Sequence, residues 1–456
     1  MVSAAEQLAS NMNFGAFAKA QDLKQRLWFT LGALLVYRLG TFIPLPGINA
    51  AAFAEAFKAQ SSGILGMFNM FAGGAVERLA IFALNIMPYI SASIIIQIMT
   101  SVSPKLEALK KEGESGRKQI NQYTRYLTVL LATLQAYGIA IGLEGSSSGA
   151  AGAIVKDPGW FFRFSTVITL VGGTMFLMWL GEQITQRGVG NGISLIIFAG
   201  IVAGLPAALA GLFELARAGS ISTPLLFGLI ALMLGVVAAV VFIERAQRRL
   251  LIQYPKRQVG TRMTQGESSH LPLKLNSAGV IPPIFASSLL LLPITAAQFM
   301  GSGGGTGSEW LNSIVASLGM GQPLHMLLTA ALIIFFAFFY TALVFNPKET
   351  ADNLRKYGGF LPGIRPGEKT AEYIDYVLTR ITFVGALYLA AVCVLPEFLV
   401  SYAALPFYFG GTSLLIAVSV TMDTVAQIQS HLLAHQYEGL IKKAKLRGAT
   451  NNRGRR

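Results

Sequence analysis

Apolar runs bounded by charged residues or by Gly/Pro clusters divide the chain into ten candidate spans, each near the roughly 17 to 25 residues that cross a bilayer as a helix. The first half carries Leu27 to Ile43, Leu79 to Met99, Leu127 to Leu143, Phe164 to Leu180 and Ile193 to Phe213. The second carries Leu225 to Ile243, Val280 to Met300, Leu324 to Phe345, Ile381 to Leu395 and Phe407 to Met422. Pro88, Pro282, Pro283 and Pro293 fall inside these runs, so kinked helices packed as a bundle are expected rather than free-standing anchors. A β-barrel is disfavoured, because no stretch alternates apolar and polar residues over about ten positions. The pattern predicts an all-α polytopic membrane protein. The stretch up to Gln25 lacks an apolar core followed by a small-residue cleavage site, so the first span is expected to stay in place.

Composition sharpens this reading. Of the 456 residues 53% are hydrophobic and 13% charged, against about 25% charged in ordinary soluble proteins. A soluble globule is thereby excluded as a class. One cysteine, Cys393, and four histidines leave little for a disulfide, metal or haem site, and no cofactor is expected. The net charge is +14, and its distribution sets orientation. Thirty of the 36 Lys and Arg residues fall on one side, in the N-terminus, the loop Ser101 to Tyr126, the turn with Arg187, the two long loops after Ile243 and Phe345, and the C-terminal tail. By the positive-inside rule that side is cytoplasmic, and so are both termini, as an even span count requires.

Reactive chemistry is missing from the spans. No HExxH or GxxxxGK[ST] pattern occurs, the GxSxG string Gly145 to Gly149 falls in the Ser-, Gly- and Ala-rich loop Glu144 to Trp160 and not in a nucleophile elbow, and Gly188 to Gly192 reads as a tight turn because no strand precedes it. An enzyme is therefore not expected. Glu182, Glu244 and Asp423 stand at span ends, where they mark the boundary. Arg38 lies within the first span, where a cation costs about 2.5 to 3.5 kcal/mol. A snorkelling or interhelix-paired arginine is favoured there over an ion-pathway residue.

Three features exceed what a bundle needs. Ser61 to Gly74 has an apolar core, Ile64 to Ala72, too short to cross and hinged by glycines. It is expected to re-enter or to lie as a short helix within protein. Such a helix is packing filler unless a water-filled cavity surrounds it, when it could act as a movable stopper. Isoleucines recur four residues apart, Ile86 with Ile90 and Ile193 with Ile197, which puts each pair on one helix face. Ordinary core or lipid contacts explain such pairs, and so does a hydrophobic constriction. The long loops carry Arg248, Arg249, Lys256 and Arg257 in one case and the proline-stiffened tip Pro362 to Gly367 with Arg365 in the other. A docking surface for acidic protein or RNA phosphate explains a rigid projecting tip better than orientation alone.

At these residues the chain resembles, along nearly its whole length, the bacterial SecY family, the central subunit of the Sec protein-conducting channel. The resemblance is carried by FNMF at Phe68 to Phe71, MPYISASIIIQ at Met87 to Gln97, KKEGESGR at Lys110 to Arg117 and GTMFLMWLGEQIT at Gly173 to Thr185. GNGIS at Gly190 to Ser194, SHLPLK at Ser269 to Lys274, FYTALVFNP at Phe339 to Pro347, PGIRPGE at Pro362 to Glu368 and PFYFGGTSLLI at Pro406 to Ile416 add to it.

The resemblance implies two pseudo-symmetric halves of five helices, 1–220 and 221–430, with basic loops at 244–277 and 346–380 and a basic tail at 431–456. It implies a pore ring of Ile86, Ile90, Ile193, Ile197, Ile284 and Ile416. It also implies a plug at 61–74 with Ile64, Leu65, Met67, Phe68, Asn69, Met70 and Phe71, and a lateral gate with Ser91, Ser93, Gln97 and Ser287. SecA or a ribosome would dock on Arg248, Arg249, Lys256, Arg257, Arg262 and Arg365 and drive transport. SecE and SecG would be the membrane partners, secretory and membrane-protein nascent chains with signal sequences the cargo, and the bacterial inner membrane the bilayer. The chain departs from the family pattern at Thr261, where paired arginines are common, and at Asn85, where a small residue is; Glu144 to Trp160 matches nothing distinctive. A small-solute secondary transporter with inverted repeats is the alternative, and an intramembrane hydrolase a weaker third.

Overall fold

The computed structural model describes residues 21–60, 69, 72–145, 154–219, 223–255, 258–259, 262–263, 268–290, 317, 322–403 and 411–453. Helices α1 (Gln21–Gly40), α2 (Ala50–Gln60), α3 (Met87–Val102), α4 (Pro104–Lys111) and α5 (Glu114–Gly145) are followed by α6 (Trp160–Arg187), α7 (Gly192–Arg217) and α8 (Thr223–Arg245). After four strands come α9 (Ile281–Leu290), α10 (Pro323–Val344), α11 (Pro347–Lys356), α12 (Glu368–Ala403) and α13 (Gly411–Arg453). Among the described residues seven helices are long and apolar enough to cross a membrane: α5, α6, α7, α8, α10, α12 and α13. The other three expected spans overlap α1, α3 and α9, of which α3 and α9 are shorter apolar helices, and the expected span Val280 to Met300 runs beyond the described residues after Leu290. The protein is a multi-pass, predominantly helical membrane protein.

Sequence boundaries and helix ends differ where the helix outlasts its apolar part. α5 begins at Glu114 rather than Leu127, α12 at Glu368 rather than Ile381, and α13 runs to Arg453. Hydropathy registers only the lipid-facing part, whereas the backbone ladder continues for as long as good helix formers follow. The second span departs the other way. Its first part, Leu79 to Ile86, is a series of turns, and the helix starts only at Met87, with Pro88 in the first turn. Irregular backbone at membrane depth is tolerated only inside protein, and Leu79, Ala80, Phe82, Ala83, Leu84, Asn85 and Ile86 are all buried. Gly173 of α6 makes room for it, since a Cβ there would collide with the Ile81 carbonyl oxygen.

The main core draws Tyr37 from α1, Leu177 and Ile184 from α6, Ile196 and Ile201 from α7, Ile333 and Phe336 from α10, Leu389 from α12 and Leu415 from α13. Outward faces remain apolar, with Trp28, Leu31, Leu35 and Leu39 on α1 and Leu234 and Phe242 on α8 exposed, as lipid-facing surfaces are.

Strands are a local addition to the all-α expectation. β1 (Gln247–Gln253) pairs antiparallel with β4 (Ser268–Lys274), Leu250 opposite Leu271, and the short β2 (Gln258–Val259) pairs with β3 (Arg262–Met263). Leu250 and Ile252 alternate with exposed neighbours along β1, the period of a half-buried strand. At seven residues the run is too short to meet the ten-residue alternation expected of a barrel strand.

Candidate functional site

The six isoleucines singled out by resemblance gather in one apolar cluster. Ile86, Ile90, Ile197 and Ile416 are buried and Ile193 and Ile284 pack against them. They come from α3 or its N-cap (Ile86, Ile90), α7 (Ile193, Ile197), α9 (Ile284) and α13 (Ile416). Five of the six, Ile193 excepted, line a cavity of about 10 Å³ together with Asn85, Met87, Ser287 and Thr412, a volume at the lower limit for one water molecule. No ionisable side chain lines it among the described residues.

Local chemistry aims these residues. Asn85 has φ +49°, a left-handed conformation that asparagine tolerates better than most residues. Its N–H donates to the Phe82 carbonyl at 2.9 Å. Ile86 caps α3 with φ −94° and ψ 3°, so this bend delivers Ile86 and then Ile90 to the cluster. On α7 the Asn191 side chain accepts from Ile193 N and Ser194 N, an N-cap that fixes where the helix begins and hence where Ile193 points.

The seam residues sort differently. Ser287 lines the cavity and donates to the Pro283 carbonyl of its own helix at 2.9 Å. Ser91 is buried, and the Gln97 amide donates to Ser93 Oγ at 3.4 Å, also within one helix. Ser93 and Gln97 are not among the residues that line the cavity; α3 and α9 both reach it, through Ile86, Met87 and Ile90 on one side and Ile284 and Ser287 on the other.

Of the predicted stopper segment, Ile64, Leu65, Met67, Phe68, Met70 and Phe71 lie outside the described residues. Its far end is well defined. Asn69 Oδ1 accepts from the Glu77 N–H at 3.0 Å, Asn69 Nδ2 donates to Glu77 Oε2 at 3.3 Å, and the Gly74 N–H donates to the Asn69 carbonyl at 2.9 Å. Arg38 Nη1 donates to the Gly73 carbonyl at 2.6 Å, and Tyr37 Oη to the neighbouring Ala72 carbonyl at 3.4 Å. The Arg38 and Arg78 guanidinium groups also sit 4.8 and 4.2 Å from the Phe42 ring centroid, within cation–π range. Arg38 is thus a paired arginine. Its partner carries no signal in the sequence, because a backbone carbonyl 35 residues away is independent of side-chain identity.

The two basic loops fold into one body. Leu250 of β1, Leu273 of β4, Leu361 of the second loop and Ile374 of α12 share a core, and Ile364 packs against it. Gln253 and Phe360 exchange backbone hydrogen bonds of 2.9 and 3.0 Å between the loops. Arg248, Arg249 and Arg365 remain exposed. The Thr370 hydroxyl donates to the Arg365 carbonyl at 3.0 Å, and Gly363 and Gly367 adopt φ +82° and +107° on either side. The tip thus turns Ile364 inward and Arg365 outward. Lys256 and Arg257 lie outside the described residues, and only the backbone of Arg262 is described. On α4, the Lys111 ammonium bonds to Glu107 at 2.7 Å and holds its carboxyl below the usual range by hydrogen bond and charge.

One polar pair was passed over in the sequence. His325 Nδ1 and Glu397 Oε1 lie 2.6 Å apart, both nearly buried, joining α10 and α12. His325 is in the first turn of α10, at one end of that span and apart from the isoleucine cavity.

A sequence model of the SecY family matches residues 80–425. The protein translocase subunit SecY of Escherichia coli (strain K12) is 58% identical over 427 residues, covering 94% of this chain and 96% of that protein. The subunit of the same description in Vibrio cholerae serotype O1 (strain ATCC 39315 / El Tor Inaba N16961) is 57% identical over 94% of this chain and 96% of its own length. Among solved structures, one described as a protein conducting channel shares the fold with TM-score 0.63 at 17% identity, over 90% of this chain and 92% of that one. Sec61 in the canine ribosome-channel complex does so with TM-score 0.60 at 16% identity, again over 90% and 92%. With a family match across most of its length and relatives well above half identical, the chain belongs to the SecY family of protein translocase subunits.

Proposed function

We propose that this chain forms the pore of a protein-conducting channel that carries unfolded secretory polypeptides across the membrane and releases apolar segments sideways into it. The observation that carries the reading is the convergence of isoleucines from four separate helices on one cavity with barely room for a water. A constriction of aliphatic side chains excludes ions when narrow, because dewetting is favourable there, and offers a passing chain no charge to bind. Branched side chains packed by dispersion yield to a wider object and close behind it. Such a conduit performs no covalent chemistry of its own, so the chain is not an enzyme in this reading. Transport is powered by a partner.

The remaining assignments follow from the same reading. Helices α1 to α7 form the N-terminal half, 1–220, and α8 to α13 the C-terminal half, 221–430, with 431–456 as a tail. The segment 61–74 serves as plug, held at its far end by Arg38. Ser91, Ser93, Gln97 and Ser287 belong to the lateral gate, where bonds made within each helix leave the seam between helices weakly held. Both termini face the cytoplasm of a bacterial cell, and the membrane is the inner one. Docking on the loop body by a ribosome is supported by the likeness to Sec61 in the canine ribosome-channel complex and by exposed Arg248, Arg249 and Arg365; the SecA ATPase is the second driver, with SecE and SecG as membrane partners. A solute transporter is disfavoured because the cavity lacks the ionisable groups that couple solute to ion.

Photocrosslinking probes at Ile193 and Ile284, with a secretory chain stalled in transit, test the proposal. Crosslinks from both positions to the stalled chain are expected. If neither forms while the complex is demonstrably engaged, the isoleucine cluster is not the conduit.

A further inference from the structure

The turn between α6 and α7 is tied by side chains from several elements. The Val189 N–H donates to Thr30 Oγ1 of α1 at 3.1 Å, the Gly190 N–H to Gln427 Oε1 of α13 at 2.9 Å, and the Gly192 N–H to Thr185 Oγ1 of α6 at 2.9 Å. The Ile193 N–H is taken by Asn191 Oδ1 at 3.1 Å. Packing leaves the turn no slack. A Cβ on Gly192 would collide with the Gly181 carbonyl oxygen, and one on Gly190, at φ +89°, would press on Leu195 and on Thr424, one turn before Gln427.

This turn opens directly into Ile193 and then Ile197, while Gln427 stands eleven residues beyond Ile416 on α13, about three helical turns. The Gly190 to Gln427 bond therefore joins the two helices that carry three of the six cluster isoleucines. The side of the cluster built on α7 and α13 is thus fastened across helices by a side chain.

We propose that Gln427 is a positioning residue, which through Gly190 pins α13 to the start of α7 and so holds Ile193, Ile197 and Ile416 in the resting ring. The inference rests on the reading of these isoleucines as the seal. It assigns Gln427, remote from the cavity, a share in the resting aperture.

The test uses the assembled channel complex in planar bilayers with Gln427→Leu, Gln427→Glu and Ile193→Gly. Gln427→Leu keeps the side-chain volume and loses the acceptor; its resting ion conductance is expected to rise several-fold. Gln427→Glu retains an acceptor oxygen and should stay sealed. Ile193→Gly should leak whatever Gln427 does. A sealed Gln427→Leu beside a leaking Ile193→Gly overturns the joint alone; a sealed Ile193→Gly overturns the ring and the joint with it. Spin labels at Arg187→Cys and Ser430→Cys, in a Cys393→Ala background, give a second measure. Their distance distribution should broaden in Gln427→Leu and not in Gln427→Glu. A merely stabilising bond would lower the melting temperature while leaving both the distances and the seal unchanged. Gln427→Asn, whose arm is one methylene shorter, serves if the leucine variant does not assemble, and an unbroadened distribution there likewise overturns the proposal.

Discussion

Arg38 shows how one residue can be affordable inside a span and useful there. Its guanidinium bonds the Gly73 carbonyl at 2.6 Å and leans on Phe42, so the cost of a cation in the first span is offset by a charge-assisted hydrogen bond of about 1.5–3 kcal/mol. Beside it Tyr37 donates to Ala72. Two consecutive side chains of α1 thus hold two consecutive carbonyls, those of Ala72 and Gly73, at the end of the segment proposed as plug. Arg38→Gln is predicted to weaken that hold, raising the resting ion conductance of the reconstituted complex, with Arg38→Lys falling between the two. Conductance equal to the unmodified protein in Arg38→Gln would remove the anchor role. At the cluster itself, replacing Ile86 and Ile193 together by glycine takes two aliphatic side chains from the seal. Ion leak in bilayers should then rise more than for either single change, and unaltered conductance would count against the constriction. The four-residue spacing within each isoleucine pair was legible in the chain, but the meeting of the pairs was not. Nothing in local pattern says that Ile90 and Ile416, more than 300 residues apart, face one cavity; only the resemblance supplied that.

At the scale of elements, the second span matters because it is not a continuous helix. Turns from Leu79 to Ile86 let the chain enter its span at an angle that a straight helix would not allow, and they deliver Asn85 and Ile86 to the cavity. That geometry depends on Gly173, where the α6 backbone approaches the Ile81 carbonyl. Gly173→Val is therefore predicted to cost at least the roughly 1–3 kcal/mol typical of overpacking, because the obstructing atom belongs to the backbone. The neighbouring Gly172 faces open space, so Gly172→Ala should leave stability unchanged or slightly improved. Thermal unfolding midpoints of the two variants in detergent check the contrast, and equal midpoints would refute it. The spans were legible from hydropathy because lipid imposes length and apolarity on each. This break was not, since buried irregular backbone is as apolar as a helix. The β1 and β4 hairpin escaped for a related reason. Its alternation, Leu250 and Ile252 inward between exposed residues, is short and sits in a segment whose Arg248 and Arg249 draw attention to charge instead of period.

Viewed as a whole, the molecule is a membrane bundle with a small folded body on its basic side. The body is made from two loops joined across more than a hundred residues of sequence, by Gln253 with Phe360 and by the shared core of Leu250, Leu273, Leu361 and Ile374. A surface presented by such a body can fail in two distinguishable ways. Arg365→Glu reverses one exposed charge while Ile364 stays packed, so the fold should survive. Binding to ribosomes should weaken, and the dependence of log affinity on log salt should become shallower by about the increment of one phosphate contact. Leu250→Ala instead empties part of the core, a change that costs about 2–5 kcal/mol, and leaves every arginine in place. It should weaken ribosome binding by letting the two loops part, and the disturbance should show as faster amide exchange at the Gln253 and Phe360 bridge, which Arg365→Glu leaves protected. Ribosome affinity measured at several salt concentrations, with hydrogen exchange on the same samples, separates the two. An Arg365→Glu channel with unchanged affinity and unchanged salt slope would mean that the tip does not meet phosphate. Docking would then have to be sought on the basic residues of the first loop, Arg248, Arg249, Lys256, Arg257 and Arg262.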